Sequence, residues 1–199
     1  MAGWVAQRNP AKDFCQGVRI GNTIYDEHQE HGERDHMALI IRTATERDAA
    51  VVGELTERAY RTDGFPISEK YAARLLDAAT RINQATVLVA ELDDRIVATV
   101  TLATHGNPLA EIAKPGELEV RMLAVSPEER RQGVAETLMS AAMKHAQNLE
   151  LKALVLSTEP PMSSARRLYE KLGFTRQPDR DWPVGDYDLL VYRRDVNQS

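Results

Sequence analysis

The chain has 199 residues, 43% of them apolar and 28% charged, proportions of a soluble globular protein that exclude a disordered or fibrous one. Its formal charge of -5 argues against a general nucleic-acid binder, whose footprint is usually basic, and no stretch approaches the roughly 18 consecutive apolar residues of a membrane span. A single cysteine, Cys15, allows neither an internal disulfide nor a thiolate metal cluster, and the N-terminus lacks a basic start followed by an apolar block, so a cytoplasmic protein with no nucleic-acid or membrane partner is expected.

Residues 1–36 show neither helical nor strand periodicity, mixing Gly3, Pro10, Gly17 and Gly21 with a polar run over 26–36. They read as an N-terminal extension or tag, and residues 37–199 as a single domain. His28, His31 and His36 fall in that polar tail, which accounts for them without a metal, and no metal site is expected. Met37 and the apolar run to Arg42 predict the first strand. Thr45 and Asp48 form a capping pair ahead of Ala49, Val52, Leu55 and Ala59, which recur at helical spacing. The segment 61–66, with Asp63, Gly64 and Pro66, ends that helix, and Ser68 opens a second through Tyr71, Leu75 and Leu76.

Strands over 85–92 and 95–104 follow, joined by Asp93 and Asp94 as a two-residue hairpin turn without glycine. After a turn-rich loop come a strand over 117–125 and a helix over 133–148 with Val134, Leu138, Ala142 and His145 on one face. Next are a strand over 153–157, a short helix over 163–172 stopped by Gly173, and closing strands over 174–176 and 187–193. A hairpin before a strand-helix-strand unit predicts a mixed α/β sheet.

The chemistry concentrates where the strand ending at Val125 runs into Arg130, Arg131, Gln132 and Gly133 and a helix begins at once. Helix N-termini present unsatisfied N–H groups and partial positive charge, so an anion such as pyrophosphate is favoured there. Gly133 lets phosphate oxygens approach the main chain, and Arg130 and Arg131 add fixed charge. An ordinary βα turn with solvated arginines is the alternative.

The set Arg130, Gly133 and Ala135, preceded by Met122-Leu123-Ala124-Val125 and Pro127, resembles the acetyl-CoA-binding signature of the GNAT superfamily of N-acetyltransferases. Residues 165–174, with Tyr169 and a terminal Leu172-Gly173-Phe174, resemble that superfamily's second hallmark, and the two motifs stand in the expected order. The resemblance implies a GNAT-like fold, a mixed and mostly antiparallel sheet with splayed central strands flanked by helices. It implies that acetyl-CoA serves as co-substrate. The main chain of Leu123, Ala124 and Val125 would pair with pantetheine, and the N–H groups of Arg131, Gln132, Gly133, Val134, Ala135 and Glu136 would hold the pyrophosphate.

By the same resemblance Tyr169 is the general acid for the departing thiolate, against the plainer reading of a packing tyrosine. Glu119 is the candidate base for the incoming amine. Strand alternation also sets it on one face with Glu117 and Arg121, where an ion pair with Arg121 is the alternative. Met162 departs from the pattern, standing where the family often carries an asparagine. Ser157 is not the acid some members use. The first two helices and the late hairpin would wall the acceptor site, with Trp182 and Tyr187 either lining it or, the plainer reading, covering the core edge. The expected activity is N-acetyl transfer to a small-molecule or protein amine, with a homodimer a further implication of the resemblance. The alternative is a catalytically silent acyl-CoA-binding or regulatory module.

Overall fold

A computed structural model describes residues 39–62 and 67–197. The extension over 1–36, Met37 and Ala38, and the breaker residues Asp63, Gly64 and Pro66 lie outside the described residues. Strand β1 (Ile40–Thr43) leads through a short 3-10 turn into α1 (Ala49–Thr62), followed by α2 (Glu69–Leu76) and α3 (Ala78–Gln84). The hairpin β2 (Thr86–Leu92) and β3 (Arg95–Thr104) precedes β4 (Glu117–Val125), α4 (Val134–Asn148), β5 (Ala153–Thr158) and α5 (Ser163–Lys171). Strands β6 (Thr175–Arg176), β7 (Trp182–Val184) and β8 (Tyr187–Asp195) close the chain.

The capping pair behaves as its chemistry requires, with the Asp48 carboxylate accepting from the Thr45 N–H at 2.7 Å and its hydroxyl at 3.0 Å. Arg42 on β1 completes that corner at 2.8 Å and holds the Asp48 carboxyl down to about 2. Ser68 accepts from the Tyr71 N–H at 3.2 Å and so opens α2. The hairpin turn places Asp93 and Asp94 at φ 49° and 58°, both left-handed, which matches the twist of the flanking strands. Aspartate tolerates that region better than most residues with a Cβ.

Helix α3 is absent from the pattern reading, because its one strongly buried position besides Ala78 is filled by a charged residue, Arg81. Asp77 both closes α2 and caps α3, its carboxylate accepting from the Thr80 N–H at 3.1 Å. The Arg81 guanidinium donates to the Arg74 and Leu75 carbonyls at 2.8 Å each and so satisfies the end of α2. Strand β7 also escaped the pattern, since Pro183 sits at its centre and two of its three residues are exposed.

The sheet runs in the order β1-β2-β3-β4-β5-β8-β6, with β7 paired to β8. Every pairing is antiparallel except β4 with β5. Residues alternate across the sheet as period-two geometry dictates. Leu88 and Ala90 of β2 face the core shared with Leu138 and Ala142 of α4, whereas Val87 and Val89 face Val52 of α1 and Ala78 of α3. Helices α1 to α3 and helices α4 and α5 therefore cover opposite faces. Gly53 permits the tight crossing of α1 on α2, because a Cβ there would overlap the Leu76 carbonyl oxygen and lie 3.1 Å from its carbon.

Candidate active site

The parallel pair β4 and β5 stays together for three residues only, Glu117 with Ala153 through Glu119 with Val155. Beyond that point the strands part. On its other edge β4 remains paired to β3 as far as Ala98 with Val125, so the main chain of 120–125 lies bonded on one side and open on the other. A bulge accompanies the parting. Three residue steps on β4 span two on β3 between Arg121 and Ala124, and Met122 takes φ 51°.

The gap opens into a cleft of about 650 Å³ lined by Leu123, Ala124, Val125, Arg130, Arg131, Gly133, Val134, Ala135, Glu136 and Tyr169, among others. At its floor α4 begins. Thr137 is bonded to the Gly133 carbonyl at 3.0 Å, so the N–H groups of Val134, Ala135 and Glu136 have no carbonyl partner within the helix. Arg131 and Gly133 adopt φ 63° and 78°, left-handed conformations of the kind that build main-chain anion-binding concavities. A Cβ at Gly133 would meet no protein atom within 4 Å, so this position is an open cradle that a side chain would fill. Peptide edges along the gap and N–H groups at its floor suit an elongated amide-bearing molecule that ends in an anion.

Arg130 differs from the sequence expectation in its contacts. Its guanidinium donates to the Ala59 carbonyl at 3.0 Å and the Val125 carbonyl at 3.4 Å, tying the end of α1 to the end of β4. Arg131 is exposed at the cleft rim. Glu136 carries an ion pair with Lys171 at 2.7 Å, which links the first turn of α4 to α5. Gln132 is exposed and donates to Glu129 at 3.1 Å.

Tyr169 is 8% exposed on the inner face of α5, its ring against Phe174 at 5.9 Å and Tyr192 at 6.2 Å. Burial pushes its phenol up to about 12, and among the described residues its hydroxyl has no hydrogen-bond partner. Tyr60, which also lines the cleft, is raised by burial, with Tyr71 and Tyr169 as neighbouring phenols. Met162 presents a thioether to the cleft wall and accepts a contact from the Thr158 hydroxyl at 3.5 Å. Ser157 lies on the same wall.

Glu119 is 1% exposed and borders neither this cleft nor the smaller cavity beside it. Its Oε2 accepts from the N–H groups of Glu111 and Ile112 at 2.8 Å each and Ala113 at 3.0 Å, while Oε1 faces Arg121 at 3.6 Å. Arg121 donates to the Leu109 carbonyl at 2.7 Å and bridges Glu111 at 2.9 Å, and Arg74 on α2 bridges Glu111 at 3.0 Å. This web pins the loop 105–116 to β4. Strand alternation identified the Glu119 and Arg121 neighbours, but the loop donors carry no periodic signal and escaped it. Glu117, on the same face, instead engages Arg180 at 2.8 Å and Arg193 at 3.2 Å.

A model described as the acetyltransferase (GNAT) family matches residues 52–174. Two mycothiol acetyltransferases are similar over a part of the chain. That of Thermobispora bispora is 37% identical over 76 residues, 38% of this chain and 23% of that protein. That of Pseudarthrobacter chlorophenolicus is 40% identical over 58 residues, 29% of this chain and 18% of that protein. The chain thus matches only about a fifth of the length of these curated relatives. Among solved structures, the PaiA N-acetyltransferase of Thermoplasma acidophilum in complex with coenzyme A superposes with TM-score 0.65 at 16% identity, covering 80% of this chain and 99% of that one. The ribosomal-protein-S18-alanine N-acetyltransferase of Escherichia coli gives 0.59 at 19% identity, covering 80% and 94%. Those two likenesses are likenesses of fold.

Proposed function

We infer that this chain, which belongs to the acetyltransferase (GNAT) family, moves an acetyl group from acetyl-CoA to a primary amine by direct attack on the thioester. The observation that carries this reading is the parting of β4 and β5 beside the left-handed Gly133 turn, with the Tyr169 phenol in the same cleft. Acetyl-CoA supplies an activated acyl carbon and a thiolate leaving group. The open edge of Leu123, Ala124 and Val125 would hold the pantetheine amides as an added strand does. The N–H groups of Arg131 to Glu136, with Arg131 at the rim, would hold the pyrophosphate. Arg130 braces the turn through its carbonyl contacts.

The new bond joins the amine nitrogen to the acyl carbon, the carbon–sulfur bond breaks, and the nitrogen sheds a proton. Tyr169 would return a proton to the leaving sulfur. Its high pKa keeps it protonated at neutral pH, which that role requires. Glu119 would draw off the amine proton through Oε1, the oxygen that the three loop N–H groups leave to Arg121. Because Glu119 does not border the cleft, that transfer needs a bridging water. Main-chain N–H groups around the Met122 bulge are the donors available to the acyl oxygen.

Met162, with no amide to offer pantetheine, is the observation that favours a second reading, a silent acyl-CoA-binding module. Thiol release from acetyl-CoA over a panel of amines separates the two. Turnover that falls on Tyr169→Phe supports the enzyme. Tight acetyl-CoA binding with no turnover on any amine supports the module.

A further inference from the structure

Met122, at the bulge of β4, lines both the main cleft and a second cavity of about 130 Å³. One water needs about 10–15 Å³ of such space, so the second cavity admits a small polyatomic group. Three arginines from three elements stand on its wall, Arg74 of α2, Arg81 of α3 and Arg121 of β4, against a single acid, Asp77. The Asp77 carboxylate accepts from the Thr80 N–H at 3.1 Å and forms no ion pair among the described residues.

Two of the three guanidinium groups have carboxylate partners that lie outside the cavity wall. Arg74 and Arg121 bridge Glu111 at 3.0 and 2.9 Å, and Arg121 also faces Glu119 at 3.6 Å. Arg81 differs from both. It is 3% exposed, and its terminal nitrogens donate to the Arg74 and Leu75 carbonyls at 2.8 Å each and to the Thr56 hydroxyl at 3.3 Å. These acceptors are neutral, and Arg81 has no ion pair among the described residues. Its Nε is buried and meets no acceptor. Carbonyls at a helix end offset part of a cation's charge. A guanidinium held in the interior without a carboxylate, and with one N–H left over, still lacks a counter-charge and an acceptor. An anion seated in the cavity supplies both.

A carboxylate suits that wall, because its two oxygens match the fork of a guanidinium. Since Met122 borders both spaces, a short aliphatic chain passing it joins a group in the cavity to a nitrogen in the cleft. We propose that the second cavity is a carboxylate subsite, in which Arg81 and Arg74 hold the acceptor's acid group, so that the substrate class is a small amino acid. This rests on the acetyl-transfer reading above. The neutral amine gains the acetyl group and loses a proton, CoA leaves as the thiol, and the carboxylate stays ionised throughout.

The test measures thiol release with glycine, 3-aminopropanoate, 4-aminobutyrate and 5-aminopentanoate against butylamine and 1,4-diaminobutane, after acetyl-CoA binding has been measured by calorimetry. At least one amino acid should exceed butylamine in kcat/KM by about tenfold or more, the worth of one charge-assisted hydrogen bond. The gain should lie mainly in KM, with the diamine poorest. Arg81→Lys keeps a charge but gives up the fork and should cut the amino-acid-to-butylamine ratio severalfold. Because Arg81 also caps α2, Arg74→Gln, at an exposed wall position with no capping role, should lower the same ratio with the fold intact by circular dichroism. Equal rates for all amines, a preference for the diamine, no turnover of any of them, or a ratio unmoved by Arg74→Gln overturns the acceptor assignment while leaving the cofactor cleft intact. Absence of acetyl-CoA binding overturns the cleft reading and the acceptor assignment with it.

Discussion

Replacing Glu119 by Gln removes one charge from a carboxylate that anchors the loop 105–116 while keeping its shape. Oε2 accepts three backbone N–H groups at 2.8 to 3.0 Å. A hydrogen bond to a charged acceptor contributes about 1.5–3 kcal/mol, against about 1 kcal/mol for a neutral one. Each of the three bonds should therefore weaken by about 1 kcal/mol, for a total of about 3 kcal/mol. The weakened attraction to Arg121 adds little, because that guanidinium retains Glu111 and the Leu109 carbonyl. In a domain of this size about 1 kcal/mol moves Tm by about 2–4 °C, so Glu119→Gln should melt about 6–12 °C lower, with a matching fall in urea midpoint. Glu119→Ala should be worse, since it strands the same donors in the interior. An unchanged Tm in Glu119→Gln refutes the anchoring role. A Gln variant whose kcat matches the parent's at every pH refutes the proposed base.

Tyr169→Phe should lower kcat about 100-fold, the lower end of what a positioned general acid contributes, with the KM for acetyl-CoA nearly unchanged; equal kcat removes the acid role. The same phenol predicts an alkaline stability limb. The folded state holds it protonated to about 12, whereas the unfolded chain ionises near 10. The stabilisation is therefore complete below about pH 10 and lost as pH rises toward 12, about 3 kcal/mol in all. Urea midpoints in that window should fall less steeply in Tyr169→Phe than in the parent. Gly133→Val places a branched side chain at φ 78° in an otherwise open cradle. It should weaken acetyl-CoA binding at least tenfold by calorimetry at a modest stability cost of about 1–3 kcal/mol, and parental affinity would contradict the pyrophosphate cradle. Gly53→Ala gains about 1 kcal/mol of helix propensity but drives a Cβ into the Leu76 carbonyl of α2. Net destabilisation of about 1–2 kcal/mol is expected in urea titration, and a stabilised variant would show that the crossing is looser than drawn.

Local chemistry was the legible part of the sequence. The Thr45 and Asp48 box, the Ser68 cap, the Asp93-Asp94 turn and the Gly173 stop each act through residues a few positions apart, and each stands where local rules put it. The Gly133 turn was legible for the same reason, since a strand end, a glycine and a helix start suffice to describe it. The unread parts depend on distant partners. Arg130 carries, besides the charge the sequence shows, a contact with the Ala59 carbonyl 71 residues away that no local pattern gives. Arg81 hides α3 because a buried arginine breaks the apolar period, and the α2 carbonyls with the Thr56 hydroxyl explain its burial.

A crystal structure with acetyl-CoA bound tests the central claim most directly. The account predicts the pantetheine arm in the gap beyond Glu119 and Val155, its amides on the open edge of Leu123 to Val125. The pyrophosphate should rest on the N–H groups of Arg131 to Glu136, with the sulfur within hydrogen-bond reach of the Tyr169 hydroxyl. Acetyl-CoA seated elsewhere, or bound in this cleft with its sulfur turned away from Tyr169, would contradict it.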